Sequence, residues 1–170
     1  MTWCRAGWIV TLLLVAGIAV GAYEMVVVGD VEPGSDGRRM LRLTPAEREG
    51  MLNEMRGFLV AVQRILEAAE RDDMGAVAAA AREVGGAQGC GVKGPAARLR
   101  LMAKLPLEFK RLGRDTHMRF DDLVREAEES GDPRRVRRRL TELIGNCIAC
   151  HAGYGISTSA SLGDGGEDGA

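Results

Sequence analysis

Two stretches of this 170-residue chain mark a helix start by the same device, a capping side chain followed directly by proline. Thr44-Pro45-Ala46-Glu47 is a full capping box. The threonine hydroxyl can accept from the third helical amide, and the glutamate can reach back to the amide of the cap. Proline suits the first helical position because its missing N–H has no intrahelical partner there. Asp132-Pro133 repeats the arrangement. After these starts apolar residues recur at steps of three and four, the period of a helix and not of a strand. Following Thr44 they fall at Leu52, Met55, Leu59, Val62, Leu66 and Ala69, the predicted buried face of a first helix. A shorter second helix follows Asp72-Asp73 and carries Val77 to Ala81, small enough for close helix contact. A glycine-rich break over 85–95 separates it from a third helix, about Leu107 to Glu129, with Phe109, Leu112, Thr116, Phe120, Leu123 and Ala127 on one face. Arg98 to Lys104 fits a further turn or two, stopped by Pro106. The fourth helix presents Val136, Leu140, Leu143 and Cys147. β-Branched runs are scarce in this region, which disfavours a β-sandwich or a doubly wound sheet. The expected fold class is all-α, an antiparallel four-helix bundle.

The two ends read differently. Residues 1–28 are a signal peptide or a membrane anchor: Arg5 precedes residues 6–23, which carry no charge. Val20-Gly21-Ala22 is an acceptable cleavage site, and the uncharged run is also close to the ~20 residues that span a bilayer. Either fate exports the domain, so the expected location is the periplasm, soluble or tethered to the inner membrane. Residues 29–43 read as a polar linker, 44–155 as the bundle, and 156–170 as a disordered tail too poor in apolar groups to fold. Charge adds an exclusion. Lys and Arg number 23 against 24 Asp and Glu, and aromatics are 4 % of the chain. Neither a global polyanion binder nor a base-stacking surface fits, so no nucleic-acid partner is expected.

Cys147-Ile148-Ala149-Cys150-His151 is C-x-x-C-H, the attachment signal for c-type haem. Two thiols three residues apart on a helix point to one side, where each can add across one vinyl group of the same porphyrin. The histidine lies four residues from the first cysteine, on the same face, and its imidazole can reach the iron. Gly145 removes a side chain where a flat macrocycle must approach. Two other chemistries use the same residue types. A redox dithiol normally opens a helix after a strand, and zinc needs two more ligands where Cys90 and His117 remain. The export signal favours haem, because covalent attachment belongs outside the bacterial cytoplasm. The reading is one haem c per chain, with Cys147 and Cys150 bonded to the porphyrin and His151 as proximal iron ligand.

With these residues in place the chain resembles the cytochrome c-prime family and its low-spin relatives, over roughly residues 44–155. The shared pattern is an exported four-helix bundle with C-x-x-C-H on its last helix, and Tyr154 completes the usual C-x-x-C-H-x-x-Y. Leu105-Pro106-Leu107-Glu108-Phe109, with His117 and Phe120-Asp121, is similar to the third helix of such proteins. The motif lies near the C-terminus, whereas ordinary class I cytochromes c carry it near the N-terminus. One departure stands out. Members that bind gases usually carry Arg or Lys straight after the tyrosine, and here that position is Gly155.

The resemblance implies that the sixth iron position faces the first helix. The candidates are Met51, Leu52 and Met55, with Gly57 and Phe58 beside them to suit a haem face. Met55 is the first choice and Met51 the second. A thioether there makes a six-coordinate electron carrier, whereas an apolar residue leaves the iron open to small gases. Methionines on an apolar stripe also serve as plain core filling. His117, the other histidine, is weighed as a distal ligand against a surface or supporting role. The expected function is one-electron transfer between redox partner proteins, without enzymatic catalysis. The alternative is a five-coordinate cytochrome that sequesters or senses NO or CO. A homodimer through the first helix and the Ala76–Ala81 surface is the other expected contact. Arg134, Arg135, Arg137, Arg138 and Arg139 oppose the dipole at a helix start and offer a partner-docking patch or a solvated face. Cys90 is left over, either a plain loop residue or an intermolecular disulfide.

Overall fold

A computed structural model of the chain describes residues 2–86 and 94–158, with side chains from residue 8 onward. The Cys4 side chain, Cys90 and the tail beyond residue 158 lie outside the described residues. These residues form six α-helices, one π-helical turn and three short strands.

α1, Thr2–Tyr23, continues without a break into the π-helical turn Glu24–Val28. The apolar run Trp8–Val28 is 21 residues long and none of it is buried within the chain. At ~1.5 Å per residue its length matches the ~30 Å hydrocarbon core of a bilayer.

The linker expectation gives way at the next segment. Residues 29–43 hold a hairpin of β1, Val31–Pro33, and β2, Arg39–Leu43, paired antiparallel with Val31 opposite Leu41. β3, Tyr154–Thr158, adds to β2 in parallel, with Leu41 opposite Ile156. A three-stranded sheet of order β1-β2-β3 therefore joins the start of the domain to residues 156–158, which the sequence reading assigned to the tail. The all-α expectation is corrected to a mainly helical chain with a small sheet. Leu41 and Leu43 turn inward while Arg42 between them stays exposed, the period-2 alternation of a half-buried strand, and Arg39, on the same face as the leucines, is exposed at the strand's start.

The helices are α2, Pro45–Glu70; α3, Met74–Arg82; α4, Pro95–Lys104; α5, Leu107–Ser130; and α6, Pro133–Gly153. Both halves of the Thr44 capping box form, and Asp132 caps α6 by accepting from Arg134 N. α3 packs against α2 and α5, and α6 against α5 and α2, so these four helices enclose one core. Ile65, Val77, Phe120, Leu123, Val136, Leu140 and Leu143 fill it, each large side chain worth ~1.5–3 kcal/mol of burial. Phe58 stacks on Phe120 with ring centroids 5.5 Å apart. The small face of α3 is consumed here, because Val77, Ala78, Ala80 and Ala81 are all buried inside the chain.

α2 departs from its predicted face. Its buried positions are Met51, Phe58, Ala61, Ile65, Ala68 and Ala69, while Leu59 and Leu66 are exposed. The helix carries two neighbouring apolar stripes one residue apart, and periodicity alone does not say which turns inward. A second cluster forms where the sheet meets α4 and the start of α2, from Leu41, Leu43, Met51, Leu101, Leu105 and Tyr154.

The arginine run is partly internal. Arg135 and Arg139 both reach Glu126 of α5, at 2.5 and 3.4 Å. Arg137 donates to Ala69 O at 3.3 Å and lies 3.5 Å from Glu70, both at the end of α2. These contacts tie α6 to its neighbours. Arg134 and Arg138 remain exposed.

Candidate functional site

The last turns of α6 carry the whole C-x-x-C-H motif in helical geometry. Cys147 and Cys150 are half-buried free thiols. Cys147 packs on the helical core beside Leu143, whereas Cys150 packs on the sheet-side cluster. Burial pushes both thiols above the usual range. His151, next in sequence, is exposed.

Cys150 and His151 form one wall of a cleft of about 220 Å³. α2 contributes Arg48, Met51, Leu52 and Met55 to the lining. Leu41, Phe109 and Tyr154 supply apolar surface, and Arg38 and Arg48 add positive charge. Met51 is almost fully buried, while Met55 is half-exposed and touches both clusters. Ligand sites usually measure ~300–1,000 Å³, so this cleft is smaller than a usual ligand site and a group as large as haem would extend beyond it. Of the expected donors, Cys150, the exposed His151 imidazole and the Met51 and Met55 thioethers line the cleft, whereas Cys147 lies on the helical core outside its lining. A larger cavity of about 440 Å³ between α5 and α6 is walled by Asp122, Arg125, Glu126, Glu129, Arg135 and Arg139 and lacks an apolar face for such a group.

The chain just past His151 is held by several contacts. Tyr154 Oη donates to Glu108 at 3.2 Å and also receives Arg39, whose guanidinium lies 4.4 Å over the tyrosine ring. Arg39 pairs with Glu108 at 2.5 Å, which holds the Glu108 carboxyl below its usual range. Phe109 meets Tyr154 edge to face at 5.1 Å. Gly155 then enters β3 under Met40, so close that a Cβ at 155 lies 2.5 Å from Met40 Sδ and 3.5 Å from Arg38 Cζ. Arg38 donates to Tyr154 O at 3.3 Å and His151 O at 3.5 Å. A basic group from the hairpin therefore lies against the backbone carbonyls of His151 and Tyr154.

Other predicted positions lie apart from the cleft. Phe58 faces Phe120 and His117 in the helical core. Gly57 and Gly145 each have open space where a Cβ would stand. Both His117 ring nitrogens are engaged, Nδ1 with Val84 O at 2.8 Å and Nε2 with Glu54 at 3.3 Å, so His117 offers no free lone pair toward the cleft. Arg38, Leu41, Arg48 and Ile156 were not singled out from the sequence. Among the described residues no group of three or more His, Cys, Asp or Glu gathers around a common metal position. No protein-family model, curated protein or solved structure matches the chain.

Proposed function

We propose that this chain is an exported c-type cytochrome that carries one covalent haem and transfers single electrons between redox partner proteins, without acting as an enzyme. In this reading α2, α3, α5 and α6 are the antiparallel four-helix bundle of the cytochrome c-prime resemblance. The observation that carries it is the cleft itself, which Cys150 and His151 of the C-x-x-C-H motif line together with Met51, Leu52, Met55 and apolar surface.

Bound haem would be held by the Cys147 and Cys150 sulfurs through its two vinyl groups. His151 Nε2 or Nδ1 donates its lone pair to the iron. Met55 would be the thioether ligand to that iron, and the almost fully buried Met51 would add apolar surface beside it. Haem bound in this way provides a one-electron ferric–ferrous couple, and thioether ligation raises its potential.

A second reading, a five-coordinate NO- or CO-binding cytochrome, gains from Arg38. Its guanidinium beside His151 O and Tyr154 O supplies the basic group that Gly155 lacks. Self-association falls to the outer stripe of α2, where Leu59 and Leu66 are exposed, because the Ala76–Ala81 face is largely used inside the chain.

The test is acid-acetone extraction after maturation in a host with export and haem-attachment machinery. Wild type is expected to retain haem through extraction and denaturing electrophoresis. The Cys147→Ala/Cys150→Ala variant is expected to lose all of it. Complete release of haem from the wild type overturns the assignment.

A further inference from the structure

The apolar run leaves no spacer before the domain. Its π-helical end packs on α4 and on the start of α5. Asp30 N donates to Lys104 O at 2.6 Å, and Lys110 Nζ donates to Val26 O and Met102 O, both at 3.2 Å. Gly29 adopts φ +73° and lies so near the α4–α5 corner that a Cβ would stand 2.5 Å from Lys104 O and 2.6 Å from Pro106 N. The end of the run and this corner therefore form a fixed contact.

The same corner is a basic part of a chain whose formal net charge is −1. Residues 94–118 hold Arg98, Arg100, Lys104, Lys110, Arg111 and Arg114 against Glu108 and Asp115. Lys104 pairs with Glu47 at 2.7 Å. Arg100, Arg111 and Arg114 are exposed, and no partner reaches them among the described residues. Leu99, on α4 beside Arg100, is 72 % exposed. Arg100 lies one helical turn from Lys104, and Arg114 one turn from Lys110, each ~6 Å along its helix. Those spans are shorter than the ~10 Å Debye length at 0.1 M salt.

We propose that the α4–α5 corner is a membrane-apposed surface on which Arg100, Arg111 and Arg114 bind anionic lipid headgroups, with Leu99 at the lipid boundary. The inference rests on retention of α1 as an anchor and is independent of the haem assignment. A span ending at Val28 brings the corner to the headgroup layer, because Gly29 and Asp30 are already bonded to it. Basic side chains next to a span are drawn to negative lipid surfaces, and their aliphatic stems suit the interface.

The experiment uses the full chain in nanodiscs, with Leu99→Trp in a Trp3→Phe/Trp8→Phe background. Quenching by headgroup-nitroxide lipid is read in phosphatidylcholine alone and with about one-third phosphatidylglycerol. Quenching is expected to rise several-fold with phosphatidylglycerol. It is expected to fall to the phosphatidylcholine level in ~1 M salt, where the Debye length is ~3 Å. Arg100→Gln alone is expected to reduce the rise, and Arg100→Glu/Arg111→Glu/Arg114→Glu to abolish it with unchanged far-UV circular dichroism. Equal quenching in the two lipids overturns the proposal. So does competition by millimolar inorganic phosphate at constant ionic strength, which marks a general anion site. Intact mass showing that the membrane-isolated protein begins after Ala22 removes the anchor and overturns it as well, whatever the haem extraction shows.

Discussion

His117 is the residue whose surroundings most clearly set a pH response. Glu54 beside Nε2 raises its pKa above the usual histidine value, and the Val84 carbonyl at Nδ1 adds to the effect against partial burial. The folded state thus holds the proton more tightly than the unfolded chain. The resulting stabilisation is fully present below the unfolded pKa, ~6.5, and is lost as pH rises through the raised folded value. The melting temperature is expected to fall across that window. Glu54→Gln is expected to flatten the slope, and a variant with the wild-type slope refutes the coupling. Met55 carries the second residue-scale prediction. With haem attached, Met55→Leu is expected to turn a low-spin ferric spectrum high-spin, lower the potential and speed carbon monoxide binding to the ferrous form. Met51, almost fully buried, is expected to respond to Met51→Leu with a stability change under ~1.5 kcal/mol and no change of spin. A wild type that is already high-spin and binds carbon monoxide readily favours the gas-binding reading.

At the scale of elements, β3 decides the shape of the cleft. Tyr154 and Ile156 line it, and both belong to the strand that pairs with β2. Ending the chain at Gly153 removes this strand and uncovers Leu41 and Leu43, each 1 % exposed in the intact chain. The truncated protein is expected to bind a hydrophobic dye and to lose several kcal/mol of stability, by the measure of two buried leucines stripped of their cover. An unfolding midpoint equal to wild type counts against this role. The helices were legible from local signals: Thr44-Pro45 and Asp132-Pro133 name their own starts, and Phe109 to Ala127 name the inner face of α5. The inner face of α2 was not, because Met51-Leu52, Ala61-Val62 and Ile65-Leu66 are adjacent apolar pairs that satisfy both stripes. The sheet was hidden by length and by distance along the chain. β1 has three residues, β2 has five, and the partner of Arg39 is Tyr154, 115 residues away. The cleft was half legible. The motif and the methionines were visible, whereas Arg38 and Leu41 enter it through a pairing that no local pattern announces.

At the scale of the whole molecule, the two clusters divide the work. The helical core around Phe120 and Leu140 fixes α6, and the sheet-side cluster around Leu41 and Leu105 fixes the chain on either side of it. The motif lies where they meet, with Cys147 on one and Cys150 on the other. The parallel pairing of β2 with β3 also imposes an order in time. A chain that emerges N-terminus first delivers β2 long before its partner, so Leu41 and Leu43 wait uncovered and one strand edge stays open to other chains. Local helices close quickly, while this long-range pairing is slow. The cysteines arrive only just ahead of β3. Until that strand docks, Tyr154 and Ile156 do not yet wall the cleft beside Cys150.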